Sequence, residues 1–459
     1  MKTNLLAVIS ANAQRDLLEK DTTLHSLLVD ELHRQSCTLA LVASCSVSDL
    51  AVLACEGMFL DNVTAEGYPG ARYHAGCRVI DDIERLAVSR ACKTYGARYA
   101  NVQPLSASIA NQVVIASLLH PGETLLGMDL DAGGHLSHGS KVNISGRHFN
   151  SIPYGVDNDG LIDFDAVERL ALQHRPRLII AGTTAYPRTI DFARFRTIAD
   201  KVGAFMLADI THIAGLVAAG EHPSPIDIAH VTTLCTHKQL YGPRGGLILS
   251  GKEHCKVVED STGATLEQKL DRGVFPLYQG APAPNKIAAK ARALGTAGGY
   301  EFKETARRIR ALATCAADEL KQLGVKVQFG GTDNHIVIID VLSTFGLTGI
   351  VAQKALEECG IIVNKNRIVG DSKPVTVASG VRLGTNSAAI RKITREGMRD
   401  VCTAIVMVLK SVTPRSDKEY SLDASIRETV NESVRNLCAR FPIPGFEAAG
   451  EKTSLVHTH

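Results

Sequence analysis

Between residues 99 and 250 the chain alternates short apolar runs with amphipathic stretches, and few architectures accommodate that rhythm. Thr124 to Met128, Ile152 to Val156, Arg177 to Gly182, Ala204 to Asp209, Val231 to Cys235 and Gly246 to Ser250 read as buried strands. The stretches Asp82 to Tyr95, Ile109 to Leu119, Asp163 to His174 and Phe192 to Val202 space their apolar residues as helices do. Strands separated by helices predict an α/β fold, a mostly parallel central sheet with helices on both faces. Ligands in such sheets bind at the C-terminal strand ends. Those ends carry Ser106 and Ser108, Thr184, Asp209 and Lys238.

The flanks are organised differently. Asp21 to Gln35 reads as an amphipathic helix capped by Asp21 or Thr22, and Leu39 to Ser44 as a strand or extended entry to the main domain. One long helical stretch is expected from Pro284 to Leu323. Beyond it, strands at Lys326–Phe329, Ile336–Asp340 and Gly380–Gly384, with helices at Ile350–Cys359, Thr394–Lys410 and Ser425–Cys438, build a smaller α+β unit. The expected division is a helical arm over 1–50, a large domain over 51–300 and a small C-terminal domain over 301–459, whose polar tail from Lys452 is expected to be loose.

With a net charge of +2 and no long basic run, the chain shows no pattern for nucleic acid or an anionic membrane. Eleven scattered cysteines without a Cys-x-x-Cys read as reduced thiols, which points to the cytoplasm and away from a disulfide frame or a metal site. The apolar patch at Leu5 to Ile9 is too short for a signal peptide or membrane span.

Lys238 follows a strand, sits beside His237 and precedes the Gly242-Pro243 turn. From this stretch alone it reads first as a surface lysine in an ordinary loop; the other reading is an amine that sheds its proton by desolvation and forms a Schiff base with an aldehyde cofactor. Asp209 ends a buried run, where a carboxylate needs a partner. It serves either as a helix N-cap or as the partner of a protonated pyridine nitrogen. Ser106 and Ser108 open a helix, as a simple cap or as a phosphate cradle. Together these groups are what pyridoxal phosphate requires.

Longer motifs carry a family resemblance. Ala65-Glu-Gly-Tyr-Pro-Gly70, Tyr99-Ala-Asn-Val-Gln-Pro104, Gly133-Gly-His-Leu-Ser-His-Gly139, His212-Ile-Ala-Gly-Leu-Val-Ala-Ala-Gly220, Thr236-His-Lys238, Gly242-Pro-Arg-Gly-Gly246, Gly330-Gly-Thr-Asp-Asn-His335 and Val363-Asn-Lys-Asn366 all do so. From about Asp21 to Pro444 the chain resembles serine hydroxymethyltransferases. The resemblance implies a fold type I pyridoxal-phosphate enzyme that moves a one-carbon unit between serine and tetrahydrofolate, leaving glycine. It implies a dimer or tetramer with active sites shared between subunits.

By position, the resemblance makes Lys238 the Schiff-base lysine, flanked by Thr236 and His237, with Asp209 at the ring nitrogen. His212 and Thr184 lie near the ring oxygen, and Ser106, Ala107, Ser108 and a partner-reaching Gly280 at the phosphate. Arg382 and Ser44 take the substrate carboxylate, with Tyr73, His74 and Thr64 beside the substrate. Glu66 is the acid–base carboxylate, and Asn364 and Asn366 lie on the folate side.

The chain departs from the family pattern around the cofactor. Thr64 and His74 stand for tyrosines, Ala132 for the histidine that stacks on the pyridine ring, and Asp131 for the alanine before it. Cys45, Ser46 and Val47 replace Glu-Asn-Tyr/Phe; Leu277, Tyr278 and Ala281 replace glycines; Leu234 and Cys235 interrupt a threonine run. Arg367 and Val369-Gly370 stand for Ser-x-Pro-Asn. Three readings follow: the hydroxymethyltransferase; a folate-independent aldolase or transaldolase acting on threonine or another β-hydroxy amino acid; and a catalytically weak subunit paired with an active paralogue.

Overall fold

The central sheet follows the alternation. The computed structural model describes residues 4–258 and 263–447. Its seven strands, in chain order, are β1 (Tyr99–Asn101), β2 (Thr124–Met128), β3 (Asn150–Tyr154), β4 (Leu178–Gly182), β5 (Phe205–Asp209), β6 (Val231–Cys235) and β7 (Gly246–Ser250). They lie in the order β1-β7-β6-β5-β4-β2-β3. The pairs from β6 through to β3 are parallel, and β7 runs antiparallel to both neighbours.

Alternate residues sort onto the two faces, as strand period dictates. Leu125, Leu178, Ile180, Leu207 and Ile248 pack with the helix Ala107–Leu118 on one face. Leu126, Ile179, Ala181, Met206, Ala208 and Leu249 face the other, beneath the helices Arg78–Tyr95, Phe164–His174 and Phe192–Val202. Both faces are therefore covered, which is why these strands read as continuous apolar runs.

The C-terminal unit is an antiparallel sheet in which Gly380–Gly384 lies between Ile336–Asp340 and Asn364–Asn366. The helices Gly349–Glu358, Arg395–Ser411 and Ala424–Arg440 accompany it. Helices at Leu5–Lys20 and Thr22–Cys37 form the arm, the second capped by Asp21, whose side chain accepts from Leu24 N at 3.1 Å.

Several expectations are corrected. Leu39–Ala40 pairs parallel with Ile361–Ile362 in a separate two-stranded sheet, so this strand joins the C-terminal unit and is not an entry to the main domain. The stretch from Pro284 divides into helices Pro284–Thr296 and Tyr300–Gln322, interrupted where Gly298 adopts φ +80°. Lys326–Phe329 is no strand: Val327 makes a single bridge to Ile339, and Phe329 turns at φ 58°. The tail from Lys452 lies outside the described residues.

Candidate active site

The C-terminal ends of β5 and β6 bring Asp209 and Lys238 to the same edge of the sheet. Asp209 is 5% exposed and ends β5. Its Oδ2 accepts from Asn111 Nδ2 at 2.7 Å and His138 Nε2 at 2.9 Å, and its Oδ1 from Thr211 N at 3.0 Å. Burial works to raise its pKa, but the His138 bond and charge, with those from Thr211 and Asn111, hold it well below the ordinary carboxylate range. Neighbouring Gly182 makes room for it, since a Cβ there would stand 2.7 Å from the Asp209 Cβ.

Lys238 places its Nζ 2.7 Å from His212 Nε2. Desolvation lowers the pKa of this amine, with Arg382 and Arg244 adding to the effect. His212 is buried, stacks on His335 with ring centroids 5.7 Å apart, and is held well below the usual imidazole range by burial and then by Lys238 and Arg382. An imidazole kept neutral can accept from an ammonium or donate to an oxyanion. His237 Nδ1, His212 Nδ1 and Thr211 Oγ1 are buried without hydrogen-bond partners. Thr236 is spent locally: its hydroxyl donates to Pro243 O at 2.6 Å and closes the turn below the lysine.

Ser106 caps the helix Ala107–Leu118, its Oγ accepting from Ile109 N at 3.2 Å. Ala107 and Ser108 occupy the first turn, where free N–H groups and the helix dipole favour an anion. Two features set this turn's position. A Cβ on Gly246 would lie 2.4 Å from Ser106 O, so only glycine fits at the start of β7. Buried Lys290 donates to Val102 O at 2.6 Å, Pro104 O at 2.9 Å and Gly246 O at 3.1 Å.

Arg382, 7% exposed on Gly380–Gly384, reaches across to the turn after β4. Its Nη1 donates to Thr184 O at 2.7 Å and its Nε to Asn364 Oδ1 at 3.2 Å. Half-buried Ser44 is carried close by: Gly384 N bonds Leu41 O at 2.7 Å, and Ala43 O accepts from Asn386 Nδ2 at 3.1 Å. Asn366 turns its Nδ2 onto Arg367 O. Ala132 is buried on the turn after β2, where Gly133 O accepts from Thr184 N at 2.7 Å.

A second group forms apart from these. Glu66 Oε2 lies 3.2 Å from His74 Nε2, a Cβ on Gly280 would sit 3.5 Å from Glu66 Oε1, and Tyr73 sets its ring edge-on to Phe275 at 5.5 Å. Thr64 is exposed nearby. Among the described residues, no hydrogen bond links Glu66, Tyr73, His74 or Gly280 to Lys238, Asp209 or Arg382. Sequence reasoning missed Asn111, Lys290 and the roles of His138 and His335. Both histidines stand inside the glycine-rich motifs quoted above, which was the available signal.

The residues fit pyridoxal phosphate. A carboxylate has about four acceptor positions, so three donors on Asp209 leave one for a ring N–H. A deprotonatable amine, an anion-ready helix start and a carboxylate-binding guanidinium complete the set. Sheet order, the reversed β7 and this set define a pyridoxal-phosphate enzyme of fold type I. A family model for serine hydroxymethyltransferase matches residues 17–405. The chain belongs to the serine hydroxymethyltransferase family.

Its relatives include a serine hydroxymethyltransferase of Ehrlichia ruminantium (strain Gardel), 46% identical over 91% of this chain and 96% of the relative. One of Paramagnetospirillum magneticum is 46% identical over 93% of this chain and 96% of its own length. One of a Wolbachia strain from Drosophila simulans is 44% identical over 94% and 97%.

Proposed function

We propose that the chain interconverts serine and glycine, passing the one-carbon unit to tetrahydrofolate. The observation that carries this reading is that Asp209 and Lys238 stand at neighbouring strand ends while Arg382, from the middle of Gly380–Gly384, reaches Thr184 O after the adjoining strand. Pyridoxal phosphate, when bound, supplies the electron sink. Arg382, supported by Ser44, would hold the substrate by its α-carboxylate and so fix which Cα bond is presented for cleavage. Asp209 keeps the ring nitrogen protonated. His212, held neutral, hydrogen-bonds the Lys238 amine 2.7 Å away and so fixes where that amine points. Glu66, steadied by His74, acts at the substrate hydroxyl.

Among the described residues Glu66, His74, Tyr73 and Gly280 make no hydrogen bond to Lys238, which supports sites shared between two subunits. The arm supports an oligomer as well: Leu24, Leu27, Leu28 and Leu32 are 36–60% exposed along one helix. Asn364 and Asn366 form the folate side, and the unpaired cysteines support a cytoplasmic location. No helix among the described residues is long and apolar enough to cross a membrane.

One observation favours a folate-independent aldolase or transaldolase: the folate-side segment carries Arg367, already engaged with Asp131. Absorbance spectra of the purified protein with pyridoxal phosphate, titrated with glycine, separate the readings. A long-wavelength band that rises only with tetrahydrofolate is expected. A band indifferent to folate would replace this reading with the aldolase, and no cofactor band would leave a partner subunit.

A further inference from the structure

Two residues that separate this chain from its family's pattern stand 236 positions apart and touch. Asp131 sits on the turn after β2, directly before Ala132. Arg367 opens the segment after Asn364–Asn366. The Arg367 Nη1 pairs with Asp131 Oδ1, and its Nη2 donates to Asp371 O at 2.6 Å.

Both ends of this contact are tied to the cofactor pocket. On the large-domain side, Asp131 N bonds Asp129 Oδ1 at 2.8 Å and Gly134 N bonds Asp129 O at 2.8 Å. The turn then passes through Gly133 O to Thr184 N. On the small-domain side, Asp371 accepts from Ser379 Oγ at 2.6 Å, Ser379 N at 2.8 Å and Lys373 N at 2.8 Å. Ser379 leads into the strand that carries Arg382. Arg382 returns to Thr184 O at 2.7 Å and closes the circuit. Two side-chain bonds of this circuit span the chain, Arg382 to Thr184 O and Arg367 to Asp131, and of these two only the Asp131–Arg367 pair joins two charged groups.

We propose that Asp131 and Arg367 form an inter-domain latch and that Arg367 is a positioning residue for the cofactor face. The family places a stacking imidazole at the position of Ala132. Here the turn bearing that residue is held instead by the small domain, so the ring face and the carboxylate-binding strand keep one relative geometry. The consequence for substrate is a pocket set by protein contact before any co-substrate arrives on the folate side. The proposal rests on the cofactor reading above only for its kinetic readout.

The test is a double-mutant cycle of Asp131→Ala, Arg367→Ser and their combination, the two changes being those to the family's residues. Amide hydrogen exchange of the full chain without cofactor reads the latch alone. Arg367→Ser is expected to speed exchange in residues 129–134, and Asp131→Ala in residues 368–379, each roughly fivefold, as suits a partly exposed pair. The combined variant is expected to stay near fivefold and not approach roughly 25-fold, because partners in contact are not additive. Serine KM is expected to rise in the same pattern. Exchange changes confined to each residue's own loop, or independent effects that multiply, overturn the latch. Failure of serine as a substrate touches the functional reading and leaves the exchange result standing.

Discussion

Replacing Arg72 by Met should unfasten the short hairpin, Gly67–Tyr68 paired with Ala71–Arg72, that directly follows Glu66. The Arg72 side chain is 4% exposed and binds Asp81 at 2.8 Å and Glu84 at 2.5 Å. Its Nη1 donates to Ala65 O at 2.8 Å and Gly67 O at 2.6 Å, the carbonyls on either side of Glu66. Glu84, 2% exposed, already has its pKa raised by burial, against the bonds from Arg72 and Gln103 that lower it. Methionine matches the stem but leaves a buried carboxylate with only Gln103 Nε2, at 2.8 Å. Breaking such a buried pair costs about 3–5 kcal/mol.

With a urea slope of about 2–3 kcal/mol per molar, that is a midpoint loss of roughly 1–2 M. Adding Glu84→Gln removes the stranded charge while keeping the shape, so the double variant should regain part of the loss. The penalty should also shrink as the pH falls, since protonation of Glu84 neutralises the charge Arg72 matched. A loss below about 1 kcal/mol, or a double variant as weak as the single, would refute the argument.

Two further outcomes are expected. Gly246→Ala places a Cβ 2.4 Å from Ser106 O and displaces the phosphate turn. At the usual 1–3 kcal/mol cost of overpacking, pyridoxal-phosphate affinity should fall about tenfold or more. Fluorescence titration with unphosphorylated pyridoxal should show little change, and an equal loss for both ligands would contradict the placement. Burial chiefly holds His135 and His237 down to about 4 and His335 to about 3. Below the unfolded value of about 6.5 the unfolded chain binds protons that the native state does not, so stability should decline from pH 6.5 toward 4. Flat stability across that window in chemical unfolding would show that these rings are solvated.

Elements were legible where one period dominated. Phe192–Val202, Val231–Cys235, Gly246–Ser250 and Ile336–Asp340 fall where the apolar spacing places them. Asn364–Asn366 was hidden because a three-residue polar strand has no apolar alternation to read. Lys326–Phe329 misled for the opposite reason. Its apolar residues are real, but Phe329 turns at φ 58° to set its ring edge-on to Tyr186, 5.8 Å away. The break at Gly298 follows from glycine's access to φ +80°, a possibility that helical spacing on either side does not reveal.

The amino-acid sequence alone determined most strands and helices of the main sheet and the sheet class, and its residue chemistry singled out Lys238 and Asp209 as candidates. Those are local matters of period, capping and residue chemistry. Tertiary structure decided what each centre touches. Asp209 owes its ionised state to His138 and Asn111, and Arg382 owes its orientation to Thr184. The Asp131–Arg367 contact is likewise invisible in either segment alone. Hydrogen bonds and burial depend on distance in space, and residues hundreds of positions apart acquire that distance only when the sheet and the small domain have packed.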